Sequence, residues 1–183
     1  MTQNVDGAVR STLEALTTAR AEFLEAVGMT SANRPEAASP EDIEELEEAL
    51  GRRVPASYRA FLLIQNGFPE LTAELSIFGT REMLASLQSD PDSLLEEISS
   101  ATGEPWIARC LVFGRSAESS SAFLFDPERA DTGGEWSVIE YDEEEGVEAI
   151  HDSFLEFLRV SAEEVREAAE ESKQGADLME LDI

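Results

Sequence analysis

Cysteine and histidine are nearly missing from this chain, since each occurs once among its 183 residues. The single cysteine, Cys110, excludes an internal disulfide framework and a cysteine-built zinc site. The single histidine, His151, excludes a metal site made of several histidines. A lone histidine at the end of a strand is more often structural or exposed than catalytic. With so little cysteine, the reducing cytoplasm is the expected location.

Long hydrophobic runs are also missing. No apolar stretch approaches the roughly 20 residues that a membrane-spanning helix needs, and no basic segment followed by an apolar stretch opens the sequence. We therefore expect a soluble cytoplasmic protein that does not enter a membrane. The length is that of one domain, which hides roughly 70% of the surface exposed by its unfolded chain. Such a chain can build a core without disulfides or metals.

Basic residues are scarce. The chain has 40 acidic residues and 13 Lys or Arg, which gives a formal net charge of −27. A molecule of this charge repels phosphate backbones and anionic lipid surfaces, so direct binding to nucleic acid or membrane is disfavoured. Basic proteins are the partners that such a field attracts. A role of the charge in solubility alone is equally compatible with the composition.

Motifs for catalysis and cofactor binding are missing as well. Residues 114–119, GRSAES, begin like a nucleophile elbow, but Glu118 stands where that turn requires glycine. Residues 90–100 begin like a calcium loop, but Leu94 and Leu95 replace an oxygen ligand and the turning glycine. No phosphate-binding or dinucleotide-binding glycine motif occurs. We therefore expect no enzyme, no cofactor and no metal, although 40 acids leave open that two carboxylates meet in a cleft.

The amino-terminal part of the chain predicts one amphipathic helix over residues 11–27. Apolar residues recur there at intervals of three and four, with Arg20 in the same stripe, a capping box from Ser11 to Glu14 and a stop at Gly28. The segment that follows is small, polar and broken by proline, which is typical of a linker.

Two further helices are predicted over residues 40–67. Ser39 caps the first one, Gly51 ends it, and Pro55 begins the next, which stops at Asn66-Gly67. The connection between the two helices is very short, so they should pack together. Tyr58, Phe61 and Leu62 lie along one side of the second helix and are expected in the core.

Strands dominate the second half of the chain. ELSIFG, residues 74–79, predicts a short strand, and a helix capped by Thr80 and a second helix up to Gly103 follow it, with a break at Asp90-Pro91. Four strands are predicted over residues 106–114, 121–127, 136–142 and 147–152, with a hairpin tip at 143–146. A last helix begins at Ser153, and its acidic end is expected to be mobile. This order predicts an α+β fold with a central, mostly antiparallel sheet packed against several helices.

A family resemblance is carried by SPEDIEELEEALGRRVPASYRAFLLIQNG, followed by IFG, WI, FLFDP and IHDSFLEFL. With these segments the chain resembles the SMI1/KNR4 group of the SUKH superfamily over residues 39–160. Residues 1–38 form the amino-terminal helix and linker in this division, and residues 161–183 form an acidic helix extension and tail. The resemblance implies a SUKH-like fold.

The resemblance also implies a binding protein without a shared catalytic motif. Bacterial members of the superfamily are typically immunity proteins that neutralise toxins passed between competing cells, often nucleases, and some fungal members regulate cell-wall synthesis. The resemblance therefore favours a cytoplasmic bacterial immunity protein that binds a basic toxin domain stoichiometrically. A regulatory or scaffold module in a resident cellular complex is the alternative.

The most concentrated acidic segment is EYDEEEGVE, residues 140–148, with six acids and no base. Carboxylates that repel one another at a turn are stabilised by a cationic partner, because it offsets their mutual repulsion. We therefore predict a partner-binding site here, with two aromatic residues as candidate anchors. The alternative is a solvated turn whose aromatic residues belong to the core. The candidate residues are Trp136, Glu140, Tyr141, Asp142, Glu143, Glu144, Glu145 and Glu148.

Overall fold

The computed structural model describes residues 2–30, 34–71, 75–88, 91–116 and 119–180. Its helices are α1 (Thr2–Ala26), α2 (Pro40–Leu50), α3 (Ala56–Leu62), α4 (Thr80–Gln88), α5 (Pro91–Thr102) and α6 (Phe154–Glu180). Its strands are β1 (Leu75–Ile77), β2 (Leu111–Ser116), β3 (Ala122–Ala130), β4 (Trp136–Asp142) and β5 (Gly146–His151). Glu74, Asp90, Glu118 and the end of the predicted tail, residues 181–183, lie outside the described residues.

The strands form one sheet in the order β1-β2-β3-β4-β5, and each pairs antiparallel with its neighbour. This confirms the predicted α+β class with an antiparallel sheet. The pairing of β2 with β3 shifts register between Val112 and Gly114. A Cβ on Gly114 would lie 2.5 Å from the carbonyl oxygen of Ser76, so only glycine lets β1 approach β2 this closely.

Helix α1 is longer than predicted. The expected start at Ser11 is wrong, because the helix begins at Thr2 and Ser11 lies inside it on an exposed face. Val5 and Val9 extend the apolar stripe of the helix by two turns, and Val9 is fully buried. Helix α1 packs along α6 and shares the main core of the sheet. Its apolar stripe therefore packs against elements that are distant in the sequence, above all α6.

The strand predicted from residue 106 is also wrong at its start. Residues 105–109 form a 3-10 helix instead, and β2 begins at Leu111. Pro105 occupies the first position of this helix, where its fixed φ is favourable, and the Cys110 N–H donates to the carbonyl of Ile107. Ile107 is thereby buried beneath the sheet together with α5. Branched and aromatic residues predict a strand here, but the 3-10 helix also brings Ile107 into the core.

The predicted end of the second helix at Asn66-Gly67 is wrong, because α3 ends at Leu62, but Asn66 has another structural role. The side-chain oxygen of Asn66 accepts a hydrogen bond from the Thr80 N–H at 2.7 Å, and its amide nitrogen donates to the Thr80 hydroxyl at 3.1 Å. These contacts cap the first turn of α4. The cap requires close backbone approach, since a Cβ on Gly79 would lie 2.6 Å from the Asn66 carbonyl oxygen. The segment is thus part of the scaffold.

Both faces of the sheet are covered. Phe123 and Phe125 of β3 face α1, α3 and α6 and belong to what we call the first core, while Ala122 and Leu124 face α5 and the 3-10 helix and belong to the second core. The first core contains an aromatic cluster in which neighbouring ring centroids lie 4.0–6.1 Å apart. Its members are Tyr58, Phe61, Phe113, Phe125, Phe154 and Phe157. Trp136 and Val138 anchor β4 in this core, and β4 pairs with the edge strand β5, so the two strands that carry the predicted site are held against it.

Candidate functional site

The predicted acidic turn connects β4 to β5. Asp142 builds the turn, because its Oδ1 accepts hydrogen bonds from the backbone N–H groups of Glu144 at 2.8 Å and Glu145 at 3.1 Å. Its Oδ2 accepts a further one from the Ser121 hydroxyl at 3.0 Å. These hydrogen bonds, those from the backbone first, lower the pKa of Asp142. Asp142 therefore holds the turn in shape.

Glu143 also stabilises the turn. Its carboxylate accepts a hydrogen bond from the Ser120 N–H at 2.8 Å, and its own N–H donates to the Ser121 hydroxyl at 3.1 Å. The side chains of Glu144 and Glu145 are exposed, and neither makes an ion pair within the described part of the chain. The turn thus presents two uncompensated carboxylates on a backbone that two other acids make rigid.

A groove of about 460 Å³ lies beside the turn, between β5 and the end of α5. Glu104 on its far side accepts a hydrogen bond from the Trp106 ring N–H at 2.7 Å. The groove is lined by Ala101, Thr102, Glu104, Tyr141, Glu143, Glu144, Glu145, Gly146 and Val147. Four of these side chains are acidic, and none is basic. The surface around the turn is therefore suited to a cationic ligand or partner.

The two candidate aromatic anchors are buried. Trp136 is 4% exposed and packs against Phe125 in the first core, with ring centroids 5.7 Å apart. Tyr141 is 5% exposed and belongs to the second core, though it also lines the groove. Burial is the largest cause that raises the pKa of Tyr141, followed by the charge of Glu143. Neither ring offers the free surface that an anchor residue needs in an unbound protein.

The remaining candidates, Glu140 and Glu148, lie near α6, in a cavity away from the groove. Glu140 pairs with His151, which is buried at the end of β5 and packs edge-on against Phe157 at 5.8 Å between ring centroids. The hydrogen bond with Glu140 is the main cause that raises the pKa of His151, and burial opposes it. The predicted residues therefore divide between two surfaces.

The His151 pair should titrate detectably. We expect the imidazole resonances of this sole histidine to titrate in NMR with a midpoint above the usual 6.5, and with a lower midpoint in Glu140→Gln. Because the folded pKa is raised, the pair stabilises the fold fully below the unfolded pKa and loses this effect as pH rises through the folded pKa. A native midpoint at or below 6.5 would contradict the pairing.

Sequence reasoning missed the cavity between α1 and α6. Arg20, Phe23 and Glu164 line it together with Glu140 and Glu148. One signal was visible, since Arg20 interrupts an otherwise apolar helix stripe. Its partner could not be read from the sequence, because the Arg20 Nε donates at 2.7 Å to the backbone carbonyl of Glu70.

None of the helices in the described part of the chain combines the length and apolar character required to cross a membrane. Within the same residues, no three His, Cys, Asp or Glu side chains are grouped so that they could hold a metal ion.

The described part of the chain is an α+β protein with an antiparallel five-stranded sheet and an acidic hairpin between β4 and β5. Residues 37–160, well over half of the chain, match the model of the SMI1 / KNR4 family (SUKH-1). The chain belongs to this family, which confirms the resemblance noted in the sequence. No curated protein matches the chain.

Proposed function

We propose that this protein is a non-catalytic immunity protein that neutralises a cognate toxin in the bacterial cytoplasm by binding it stoichiometrically. The observation that carries the proposal is the turn between β4 and β5, where Glu144 and Glu145 project beside an acidic groove without an ion pair to any of the residues that the structure describes. Membership of the SMI1 / KNR4 family supports it. The division of the chain into residues 1–38, 39–160 and 161–183 stays a prediction.

The charge distribution supports a basic protein as the partner. A net charge of −27 creates a field that steers cationic proteins toward the surface and repels nucleic acid. The turn is held by Asp142 and Glu143, so little ordering accompanies binding. If the toxin is a nuclease, the carboxylates of the turn would occupy the positions of substrate phosphates. Covering the toxin's site in this way requires no chemistry by the immunity protein.

The proposal is tested by capture followed by a titration. The full chain is used as bait in lysate of its native cell at low salt, and the captured protein is identified and purified. We expect a protein whose toxic activity falls linearly with added chain and ends at a fixed stoichiometric ratio. Capture of a resident complex without toxic activity would favour the regulatory or scaffold alternative. Turnover of a metabolite by the purified chain, lost on replacing one carboxylate, would show an enzyme.

A further inference from the structure

The cavity between α1 and α6 is separate from the acidic turn. Its volume is about 310 Å³, at the lower end of the roughly 300–1,000 Å³ typical of small-ligand sites. Its apolar floor consists of Phe23, Leu71, Phe123 and Val165. Leu71 and Phe123 are fixed in the first core, and Phe23 and Val165 are half-buried. The floor is therefore preformed and suited to a narrow apolar group.

Carboxylates surround this floor. Glu140 and Glu148 reach the cavity from β4 and β5, and Glu164 reaches it from α6. Two cationic groups are nearby, but each has its own partner. The guanidinium of Arg20 lies 3.9 Å from the Glu70 carboxylate and donates to the Glu70 carbonyl. His151 pairs with Glu140.

Glu148 and Glu164 remain without an ion pair among the described residues. Burial is the largest cause that raises the pKa of each, and the charge of Glu140 raises both further, while the charge of His151 offsets part of the shift at Glu164. Each carboxylate therefore lies in a negative local field that a bound cation would relieve. An apolar floor combined with two unpaired carboxylates matches a cation carried on an apolar stem.

We infer that this cavity binds an arginine side chain of the protein partner, with the alkyl stem on the apolar floor and the guanidinium paired with Glu148 and Glu164. Guanidinium is planar, weakly hydrated and able to form paired hydrogen bonds with carboxylates. The inference rests on the proposed protein-binding function. It adds a second contact, on the α6 side of the sheet, to the one at the turn.

The test uses n-butylguanidinium as the probe, titrated into the full chain and followed by the NMR resonances of the aromatic side chains and His151. We expect saturable shifts with the probe and none with neutral pentanamide of similar size. The double variant Glu148→Gln/Glu164→Gln should weaken probe binding about tenfold or more. The control Glu44→Gln/Glu45→Gln changes the net charge equally on the exposed face of α2, and it should leave affinity within about twofold.

A second arm distinguishes a protein side chain from a free small cation. A capped Gly-Arg-Gly peptide should bind with an affinity at least equal to that of n-butylguanidinium, because its backbone can remain outside the cavity. The inference is overturned if the probe does not bind, if the Glu148→Gln/Glu164→Gln variant binds it equally well, or if the peptide fails where the free cation binds. A Glu144→Lys/Glu145→Lys variant should retain probe binding, so failure at the cavity is separable from failure of the proposed function.

Discussion

Replacing Phe154 with alanine is expected to lower the free energy of unfolding by about 3–5 kcal/mol. Phe154 is fully buried at the start of α6. Its ring centroid lies 5.0 Å from that of Tyr58, 5.2 Å from Phe61 and 5.7 Å from Phe113. Rings on α3, β2 and α6 thus meet at one residue. Truncation would leave a cavity between rigid neighbours that cannot close around it.

Urea unfolding of both proteins, followed by circular dichroism, measures this effect. The matched control is Ile150→Ala, which also removes a large apolar side chain but at a position 49% exposed on β5. That variant should change stability by about 1 kcal/mol or less. If Phe154→Ala lowered the free energy of unfolding no more than Ile150→Ala does, the aromatic cluster would not be the centre of the fold.

The contribution of Phe154 to the core could be predicted because its signals are local. Ser153 accepts a hydrogen bond from the Glu156 N–H at 3.2 Å, as the capping pattern indicated, and Phe154 and Phe157 fall on the buried side of the helix. Ser39 and Gly51 likewise begin and end α2 as predicted. Capping and periodicity depend on a few neighbouring residues, so one sequence suffices to read them.

Features that depend on distant contacts could not be predicted. The extra turns of α1 carry Val5 and Val9, which pack into a core whose other members, such as Phe154 and Phe157, follow more than a hundred residues later. The cavity lined by Arg20 and Glu148 depends on the same packing. The 3-10 helix over residues 105–109 could not be predicted, because branched and aromatic residues in this segment are typical of a strand.

In the candidate site, too, only the features with local sequence signals could be predicted. The turn between β4 and β5 lies where the acidic run indicated, because glycine after a polar segment is a local hairpin signal. The sequence alone does not decide whether Trp136 and Tyr141 are buried, since a strand can turn either face toward a core; the structure buries both. The different roles of neighbouring acids could not be read either. Asp142 and Glu143 hold the turn through hydrogen bonds, whereas the side chains of the adjacent Glu144 and Glu145 are exposed.

Reversing the two free charges of the turn should have the largest effect on partner binding. We expect Glu144→Lys/Glu145→Lys to slow association with the captured partner about tenfold or more at low salt, because steering by complementary charge acts mainly on the association rate. Asp142 and Glu143 are left unchanged, since their carboxylates hold the turn and their loss would confuse misfolding with lost attraction. Stopped-flow association kinetics measures the rate at several salt concentrations.

The control for this reversal is Glu44→Lys/Glu45→Lys on the exposed face of α2, which changes the net charge of −27 by the same amount. If attraction came only from the total charge, the two variants would slow association equally. A local binding surface predicts that the turn variant is slower and that the difference shrinks as salt screens the field, with a Debye length of about 8 Å at physiological ionic strength. Equal rates for the turn variant and the unaltered protein would exclude the turn as the contact, even if capture had already identified a toxin.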